Sequence, residues 1–313
     1  MRLASRPLLA TLVIAVVGVA GTSTLVEGQQ PTRHDTPAAS GFLLSMGGST
    51  ARGMQPLGTS DGMEDYTNDG YPDLIAHMEA KNGHPLLVRR LGCPGATLGA
   101  ALGTAKPFKS DTCYKPPLTQ LVVAEGFLHR HHGDPGVVTI EFGVNTLRPC
   151  FNAALVDAAC AATSLADTKA NLPKLIARLK KAAGPQTHFI GLNFPDPLVV
   201  YPAYGTYPTP IARDTLRYVQ QLNITLDALY VESGVTVANI ADAFRMLDAS
   251  PSSNPAFARV PMNVAYACLL TWVCTPVGPK TDDHPNLAGQ IVMANTIMAV
   301  MPQPWLVKPA VTS

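Results

Sequence analysis

The sequence predicts an α/β fold with a mainly parallel, five-stranded sheet that carries helices on both faces. Segments typical of strands and of helices alternate along the 313 residues, and this alternation is characteristic of parallel sheets. Three of the predicted strands end in turns that contain glycine, and parallel strands bring such turns to one edge of the sheet. The chain has no internal repeat and no sign of a second domain.

The five predicted strands are short apolar or β-branched runs that are bounded by turn residues. They cover residues 42–46, 86–90, 137–142, 188–192 and 235–240. Each run has the length of a buried strand rather than that of a helix.

The predicted helices carry apolar residues at helical spacing, and one of them ends in basic residues followed by glycine, a helix stop signal. They cover residues 71–81, 118–132, 168–183, 212–231 and 287–301. Residues 54–69 are predicted to form a loop, and a long irregular stretch extends to residue 283.

The composition favours a secreted, loop-rich globular protein over a nucleic-acid-binding protein. The chain is 47% hydrophobic and 14% charged, with a formal net charge of +1, which is too low for a basic nucleic-acid surface. Arg2 and Arg6 precede an apolar run at 8–20, the layout of a signal peptide. An uncleaved membrane anchor is the alternative.

We therefore divide the chain into four segments. They are a signal peptide at 1–28, a linker at 29–40, one large folded domain at 41–305 and a C-terminal tail at 306–313. The expected location is extracellular, and the expected state is a monomer.

The six cysteines are expected to form disulfides, because their number is even and a signal peptide precedes them. Six cysteines allow 15 pairings. The simplest is sequential and closes three short loops: Cys93 with Cys113, Cys150 with Cys160, and Cys268 with Cys274. None of these spacings is typical of a zinc site, so no metal is predicted.

Ser49 is the candidate nucleophile. It follows Gly47 and Gly48 directly after the first predicted strand, where open α/β sheets bind their ligands. A serine at such a turn can expose its hydroxyl and aim its backbone N–H at a developing oxyanion. Gly95 and Asn145 follow two other strands and could supply further donors; an ordinary turn or helix cap explains the same residue types.

His284 is the candidate general base. It lies in a polar loop before the last helix, and Asp282 and Asp283 beside it could orient the imidazole. The cluster His129, His131 and His132 supports an alternative, a metal-dependent hydrolase, although basic residues are also common at a helix C-terminus.

Four segments that contain these residues resemble the sequence blocks of the SGNH hydrolases, also called the GDSL lipase/esterase family, in its secreted actinobacterial-type branch. In chain order they read MGGSTARGMQP, LGCPGAT, EFGVNTLRPC and DDHPNLAGQ. The resemblance spans residues 41–300. It implies a flavodoxin-like, three-layer α/β/α sandwich and an esterase or lipase that needs no cofactor.

The resemblance also implies roles for the matching residues. Ser49 would be the nucleophile and His284 the general base, while Gly95 and Asn145 would complete the oxyanion hole with the N–H of Ser49. Asp282 is the preferred orienting acid because the family places that carboxylate two or three residues before the histidine. Asp283 is the reserve, and a Ser-His dyad that uses a backbone carbonyl is a further alternative.

Two departures from the family pattern bear on activity. Gly48 stands where the first block usually has aspartate, and Thr146 stands where the third block usually has aspartate. These changes favour a second hypothesis, an inactive SGNH-like domain that binds lipid or glycan. A carbohydrate O-acetyl esterase is a third.

The expected substrate is a small-molecule or lipid ester, with transient contact to a membrane or lipid surface. Residues 206–210 and 250–279 could line the acyl pocket. Trp272 and Tyr266 in the second stretch favour either an apolar, sugar-stacking surface or a cover for the core beside the last cysteine pair.

Overall fold

Five parallel strands form the central sheet of the protein, in the order β4-β1-β5-β6-β7. The structure, a computed structural model, describes residues 39–56, 64–105, 113–151, 155–204, 209–258, 260–275 and 282–302. In chain order the strands are β1 (Gly41–Gly47), β2 (Met54–Pro56), β3 (Glu64–Tyr66), β4 (Leu86–Arg90), β5 (Gly136–Glu141), β6 (Thr187–Leu192) and β7 (Thr236–Ala238). The fold class is therefore the one that the sequence predicted.

Helices connect the strands of the sheet. They are α1 (Tyr71–Lys81), α2 (Leu98–Leu102), α3 (Gln120–Arg130), α4 (Val144–Leu147), α5 (Ala158–Ala182), α6 (Thr209–Glu232), α7 (Ile240–Ala243), α8 (Met262–Leu270) and α9 (Leu287–Val300). Short 3-10 helices cover Thr50–Arg52, Arg148–Cys150, Pro197–Tyr204 and Pro255–Phe257.

Several predicted boundaries were wrong. Helix α5 begins ten residues before its predicted start, where Asp157 accepts hydrogen bonds from the N–H groups of Ala159 and Cys160. The predicted loop at 54–69 contains the antiparallel pair β2-β3, and the irregular stretch before residue 283 contains α8. Strand β7 ends early because Asn239 caps α7 through the N–H of Asp242.

One face of the sheet packs against α3, α5 and α6. Leu44 and Met46 of β1 and Ile140 of β5 point to this face, since alternate residues of a strand face the same side. The helices contribute buried residues that include Leu121, Phe127, Leu172, Leu175, Leu222 and Leu226.

The opposite face packs against α1, α7 and α9. Leu43 of β1, Val137 of β5 and Ile190 of β6 point to this side. Tyr71, Ile75, Ile240, Met293 and Ile297 supply the buried helix side chains. The sheet is thus the middle layer of an α/β/α sandwich, as predicted.

Three disulfides join the cysteines in sequential pairs. They link Cys93 to Cys113, Cys150 to Cys160 and Cys268 to Cys274. Each bond closes a loop of 20 residues or fewer. Within the described ranges, none of the helices combines the length and the apolar character that a membrane crossing requires.

The terminal segments predicted from sequence fall on parts of the chain that the structure does not describe. This holds for the signal peptide at 1–28, almost all of the linker at 29–40 and the tail at 306–313. The residues from Ala38 onward cluster into one unit.

Candidate active site

The candidate site lies where the strand order reverses, at the carboxyl ends of β1 and β5. The chain passes from β1 to its neighbour β4 on one side and returns to β5 on the other, and open α/β sheets bind ligands at such a crevice. Ser49 follows β1, Asn145 lies in α4 just after β5, and His284 lies just before α9. All three line one cleft.

Ser49, His284 and Asp282 form a chain of hydrogen-bonded side chains. The Nε2 atom of His284 lies 2.6 Å from Oγ of Ser49. Its Nδ1 atom lies 3.0 Å from Oδ1 of Asp282, which also accepts the backbone N–H of His284 at 2.8 Å. An imidazole held in this way by a buried carboxylate can take a proton from the serine hydroxyl.

The loop that carries His284 is anchored on both sides. The N–H of Trp272 donates to the carbonyl of His284 at 3.0 Å. The side-chain amide of Gln55, on β2, donates to the carbonyl of Pro285 at 3.0 Å and accepts from the indole N–H of Trp272 at 2.6 Å. Trp272 therefore supports the histidine loop, and it is not among the residues that line the cleft.

Asp283, the reserve orienting acid, has a different partner. Its carboxylate forms an ion pair with the guanidinium of Arg148, which follows α4. Both residues line the cleft, so a positive charge and a negative charge lie at its rim.

Asn145 lies against the serine turn and the segment 91–97. Its Nδ2 atom donates to the carbonyl of Ala96 at 3.2 Å, and a Cβ atom added to Gly48 would lie 2.7 Å from that nitrogen. Gly95, the neighbour of Ala96, has a φ of +71°, which favours glycine. Gly95 is not one of the residues that line the described cleft.

The segment with Gly95 packs directly on the serine turn. A Cβ atom added to Gly92 would lie 2.5 Å from the carbonyl oxygen of Gly48 and 2.7 Å from the backbone nitrogen of Arg52. Glycine is therefore required at 92 because the two backbones touch there. This contact brings the segment 91–97 alongside Ser49.

Glu141, at the end of β5, is a site residue that the sequence analysis missed. Its side chain is buried, and Oε2 accepts the N–H of Gly48 and the N–H of Ala51, each at 3.1 Å. Burial raises the pKa of Glu141 to about 7. The two N–H groups and the nearby His284 lower this pKa, but their effect is smaller than that of burial. A carboxylate is thus present beside Gly48, although it comes from another strand.

The wall of the cleft is formed mainly by the segments 144–151 and 193–198 and by residue 219. Of the described residues in the predicted stretch 250–279, Thr271 lines the cleft. The side chains of the wall are mostly apolar and include Val144, Phe151, Phe194, Leu198 and Val219. Of the other predicted stretch, 206–210, most residues lie outside the described part of the chain.

Asp196 is an acidic residue buried in this wall. Burial raises its pKa from 3.8 to about 6, although the hydroxyl of Thr215, the N–H of Leu198 and the charge of Arg148 act in the opposite direction. Its Oδ1 accepts the N–H of Leu198 at 3.1 Å. Within the described ranges, its Oδ2 has no hydrogen-bond partner.

We expect Asp196 to make the protein less stable as the pH rises from about 4 to about 6. Its raised pKa means that the folded state holds the proton more tightly than the unfolded state, so this stabilisation is complete below pH 4 and lost through pH 6. Asp196→Asn should remove this contribution, which is on the order of 2 kcal/mol. Urea unfolding of the wild type and the variant at pH 4.5 and pH 8 measures this difference in the free energy of unfolding.

The exposed acid Glu232, replaced by glutamine, is the matched control for that experiment. Glu141 adds a pH dependence of the same sign in every variant, so the comparison isolates the share of Asp196. An unchanged pH dependence in Asp196→Asn would contradict this account of the buried carboxyl.

The histidine cluster at the C-terminal end of α3 does not bring metal ligands together. Among the described residues, the group of three that could hold an ion is Asp282, Asp283 and His284. Nδ1 of His131 instead lies 2.8 Å from Oδ2 of Asp134, and its ring packs against Phe127. The alternative of a metal-dependent hydrolase at this cluster therefore lacks a site.

Solved structures that are similar to this chain include a lipase, a phospholipase and an esterase. The extracellular lipase from Streptomyces rimosus aligns over 83% of this chain and 99% of its own, with 16% identity and a TM-score of 0.51. Phospholipase A1 from Streptomyces albidoflavus NA297 aligns over 84% and 99%, with 15% identity and a TM-score of 0.47. The acetyl xylan esterase AlAXEase aligns over 83% and 100%, with 11% identity and a TM-score of 0.46.

Sequence comparison identifies the family. No curated protein matches the chain. The sequence pattern of the GDSL-like lipase/acylhydrolase family, in contrast, matches residues 45–290, a segment that begins within β1 and ends in α9. The chain therefore belongs to the GDSL-like lipase/acylhydrolase family and is a carboxylic ester hydrolase.

Proposed function

We propose that the protein is a secreted serine esterase or lipase in which Ser49 is the nucleophile, His284 the general base and Asp282 the orienting acid. The observation that carries this proposal is the hydrogen-bonded chain from Oγ of Ser49 through the imidazole to the carboxylate, with contacts of 2.6 Å and 3.0 Å. Asp282 is preferred to Asp283 because the carboxylate of Asp283 pairs with Arg148.

The reaction proceeds in two halves. Nε2 of His284 removes the proton of Ser49 as Oγ attacks the ester carbonyl, and the resulting imidazolium is stabilised by Asp282. The tetrahedral intermediate then collapses as His284 donates that proton to the leaving alcohol. Water attacks the acyl-enzyme with the same histidine as base, which releases the acid and restores the Ser49 hydroxyl.

The oxyanion formed in each half would be held by three donors. They are the backbone N–H of Ser49, the N–H of Gly95 and the side-chain amide of Asn145. The close packing of Asn145 against Gly48 and Ala96 supports this arrangement, because preorganised donors need no rearrangement as charge develops.

Asn145→Ala is expected to lower kcat by about 10²- to 10³-fold, the usual cost of losing one oxyanion donor. KM should change little because the donor acts on charge that develops after binding. Steady-state kinetics on a soluble p-nitrophenyl ester measures both constants. An Asn145→Ala variant with nearly full kcat would remove this residue from the oxyanion hole.

The mostly apolar wall of the cleft supports an acyl-binding role for Val144, Phe151, Phe194, Leu198 and Val219. Hydrolysis of p-nitrophenyl esters of graded chain length, beside Ser49→Ala, tests the function and measures the acyl length that fits. Activity that is present in the wild type and lost in the variant is the expected result. Activity that survives in Ser49→Ala would contradict the proposal.

A carbohydrate O-acetyl esterase is the second candidate. The polar rim formed by Arg148 and Asp283 and the buried acid Asp196 favour it, because hydroxyl-rich substrates need hydrogen-bonding partners. The rate of acetate release from acetylated polysaccharide, compared with the rate of hydrolysis of butyryl and octanoyl esters, separates a carbohydrate O-acetyl esterase from an esterase or lipase that acts on longer acyl chains. An inactive domain that binds lipid or glycan would bind these ligands and hydrolyse none of them.

The single-domain, secreted organisation belongs to the same proposal. The three disulfides support it, since such bonds persist in oxidising compartments. Removal of residues 1–20 or 1–28 as a signal peptide would leave a hydrolase domain at 41–305. The N-terminal sequence of protein recovered from the culture medium tests this, and an intact Met1 there would contradict cleavage.

A further inference from the structure

The backbone turn that carries Ser49 is held by side chains from other strands and helices. Gln120, the first residue of α3, accepts the N–H of Gly47 at 2.8 Å and donates to its carbonyl at 3.1 Å. Ser45 donates its hydroxyl to the carbonyl of Ala51 at 2.8 Å. These hydrogen bonds from uncharged side chains fix the two ends of the turn.

Glu141 holds the part of the turn that contains the serine. One oxygen of its carboxylate accepts both the N–H of Gly48 and the N–H of Ala51, which lie on either side of Ser49. Glu141 is the strand partner of Gly47 in the β1-β5 register, so the sheet itself fixes its position. A turn with two successive glycines has unusual backbone freedom, and this contact restricts it.

We propose that Glu141 is a positioning residue whose negative charge fixes the Ser49 turn for catalysis, and that activity falls when this carboxylate takes up a proton. The inference rests on the proposed role of Ser49 as nucleophile. Glu141 acts through the backbone of the turn, and no contact of its carboxylate with the substrate is required.

The charge matters because an ionised acceptor makes shorter and stronger hydrogen bonds to N–H groups than a neutral one. Protonation would weaken both bonds and would add an O–H group that needs its own acceptor. The turn would then be free to move, and the hydroxyl of Ser49 and its N–H would leave their alignment with His284 and the oxyanion.

The surroundings of Glu141 place its titration in the neutral range. Burial raises its pKa to about 7, while the two N–H groups and His284 favour its charged form. The other titratable groups that face it are Tyr71 and Tyr230, and burial raises the pKa of each, so both stay neutral. Of these groups, His284 is the one that favours the charged form of Glu141.

The space around the turn explains why the carboxylate comes from β5. A Cβ atom at position 48 would lie 2.7 Å from the amide nitrogen of Asn145, so a side chain there would displace a proposed oxyanion donor. Gly48 leaves this space to Asn145. Glu141 reaches the same N–H groups from the neighbouring strand.

The test compares wild type, Glu141→Gln and Glu141→Ala by kcat and KM on a soluble p-nitrophenyl ester from pH 5.5 to pH 9. Glutamine keeps the size and one acceptor oxygen and removes the charge. We expect kcat of Glu141→Gln to be about 10-fold below wild type at pH 9, with KM nearly unchanged. The ratio of the two kcat values should approach one below pH 6, where the wild-type carboxyl is neutral.

The pH dependence of this ratio separates the proposal from a general effect on folding. A merely structural role would give a ratio that does not depend on pH. The charge of Glu141 also acts on His284, because the two groups attract each other, so its removal also changes the acid side of the profile. The ratio on the plateau at pH 9 is therefore the value that measures the positioning role. Equal kcat values at pH 9, or a ratio that is constant from pH 5.5 to pH 9, would overturn the inference. If Glu141→Ala fails to fold, the comparison of Glu141→Gln with wild type is sufficient for the test.

Glu79→Gln is the matched control, because Glu79 is also a buried glutamate. It lies near the C-terminal end of α1, which leads into the start of β4 and is away from the cleft. Its kcat should equal that of wild type at every pH. Ser49→Ala in the same series keeps the two proposals apart. An inactive Ser49→Ala beside a fully active Glu141→Gln would overturn this inference alone, whereas an active Ser49→Ala would overturn the proposed function.

Discussion

Replacement of Ser49 by alanine is expected to lower kcat for ester hydrolysis by about 10⁶-fold, the order of loss that follows removal of the nucleophile from a serine protease. No acyl-enzyme can form without Oγ, and His284 is left without the proton it transfers. The turn itself should persist, since Glu141 and Gln120 bind its backbone. Substrate analogues should therefore bind with nearly unchanged affinity.

A serine at the opposite edge of the sheet is the control for this substitution. Ser233 lies between α6 and the start of β7, and Ser233→Ala should keep the wild-type kcat. Substrate binding by Ser49→Ala, measured by calorimetry with a non-hydrolysable ether analogue, checks that the cleft is intact. Residual hydrolysis within 10-fold of wild type would exclude Ser49 as the nucleophile.

His284→Ala should cause a loss of the same size, and the double variant Ser49→Ala/His284→Ala should be no worse than either single variant. The two residues transfer one proton between them, and residues that act as a unit have strongly non-additive effects. Steady-state kinetics on the four proteins of this cycle measures the coupling. Additive losses would mean that the 2.6 Å contact between the two side chains does not serve catalysis.

Asp282→Asn distinguishes a triad from a dyad in the same assay. With Asp282 as the orienting acid, asparagine should lower kcat by several orders of magnitude, because the imidazolium loses its carboxylate. A loss of only a few-fold would favour the dyad. Asp283→Asn is the matched control, because its carboxylate pairs with Arg148.

The strands and most helices could be predicted because their signals are local. β5 reads as a β-branched run, and helices such as α1 carry apolar residues at helical spacing. The first ten residues of α5 were missed because that stretch is mainly alanine, serine and threonine and has no large apolar stripe. Asp157, a typical N-cap residue, was the available signal. Helix α8 was missed because its sequence, MNVAYACLL, is apolar apart from Asn263 and shows no alternation of apolar and polar residues at helical spacing.

The carboxylate at the serine turn could not be predicted from the first block of sequence. Gly48 lacks the carboxylate that the resemblance implies at this position, and its absence favoured the hypothesis of an inactive domain. The side chain of Glu141 reaches the turn only because β1 and β5 are neighbours with Gly47 opposite Glu141. The one local signal was a glutamate at the end of a buried strand, where a charged residue requires an explanation.

The measurement that tests the central claim most directly is covalent labelling with a fluorophosphonate, followed by mass spectrometry of the digested protein. We predict one adduct, on Oγ of Ser49, with activity lost in proportion to labelling and with much slower labelling of His284→Ala. An enzyme that hydrolyses esters while the adduct lies on another residue, or while Ser49→Ala is labelled as fast as wild type, would contradict it.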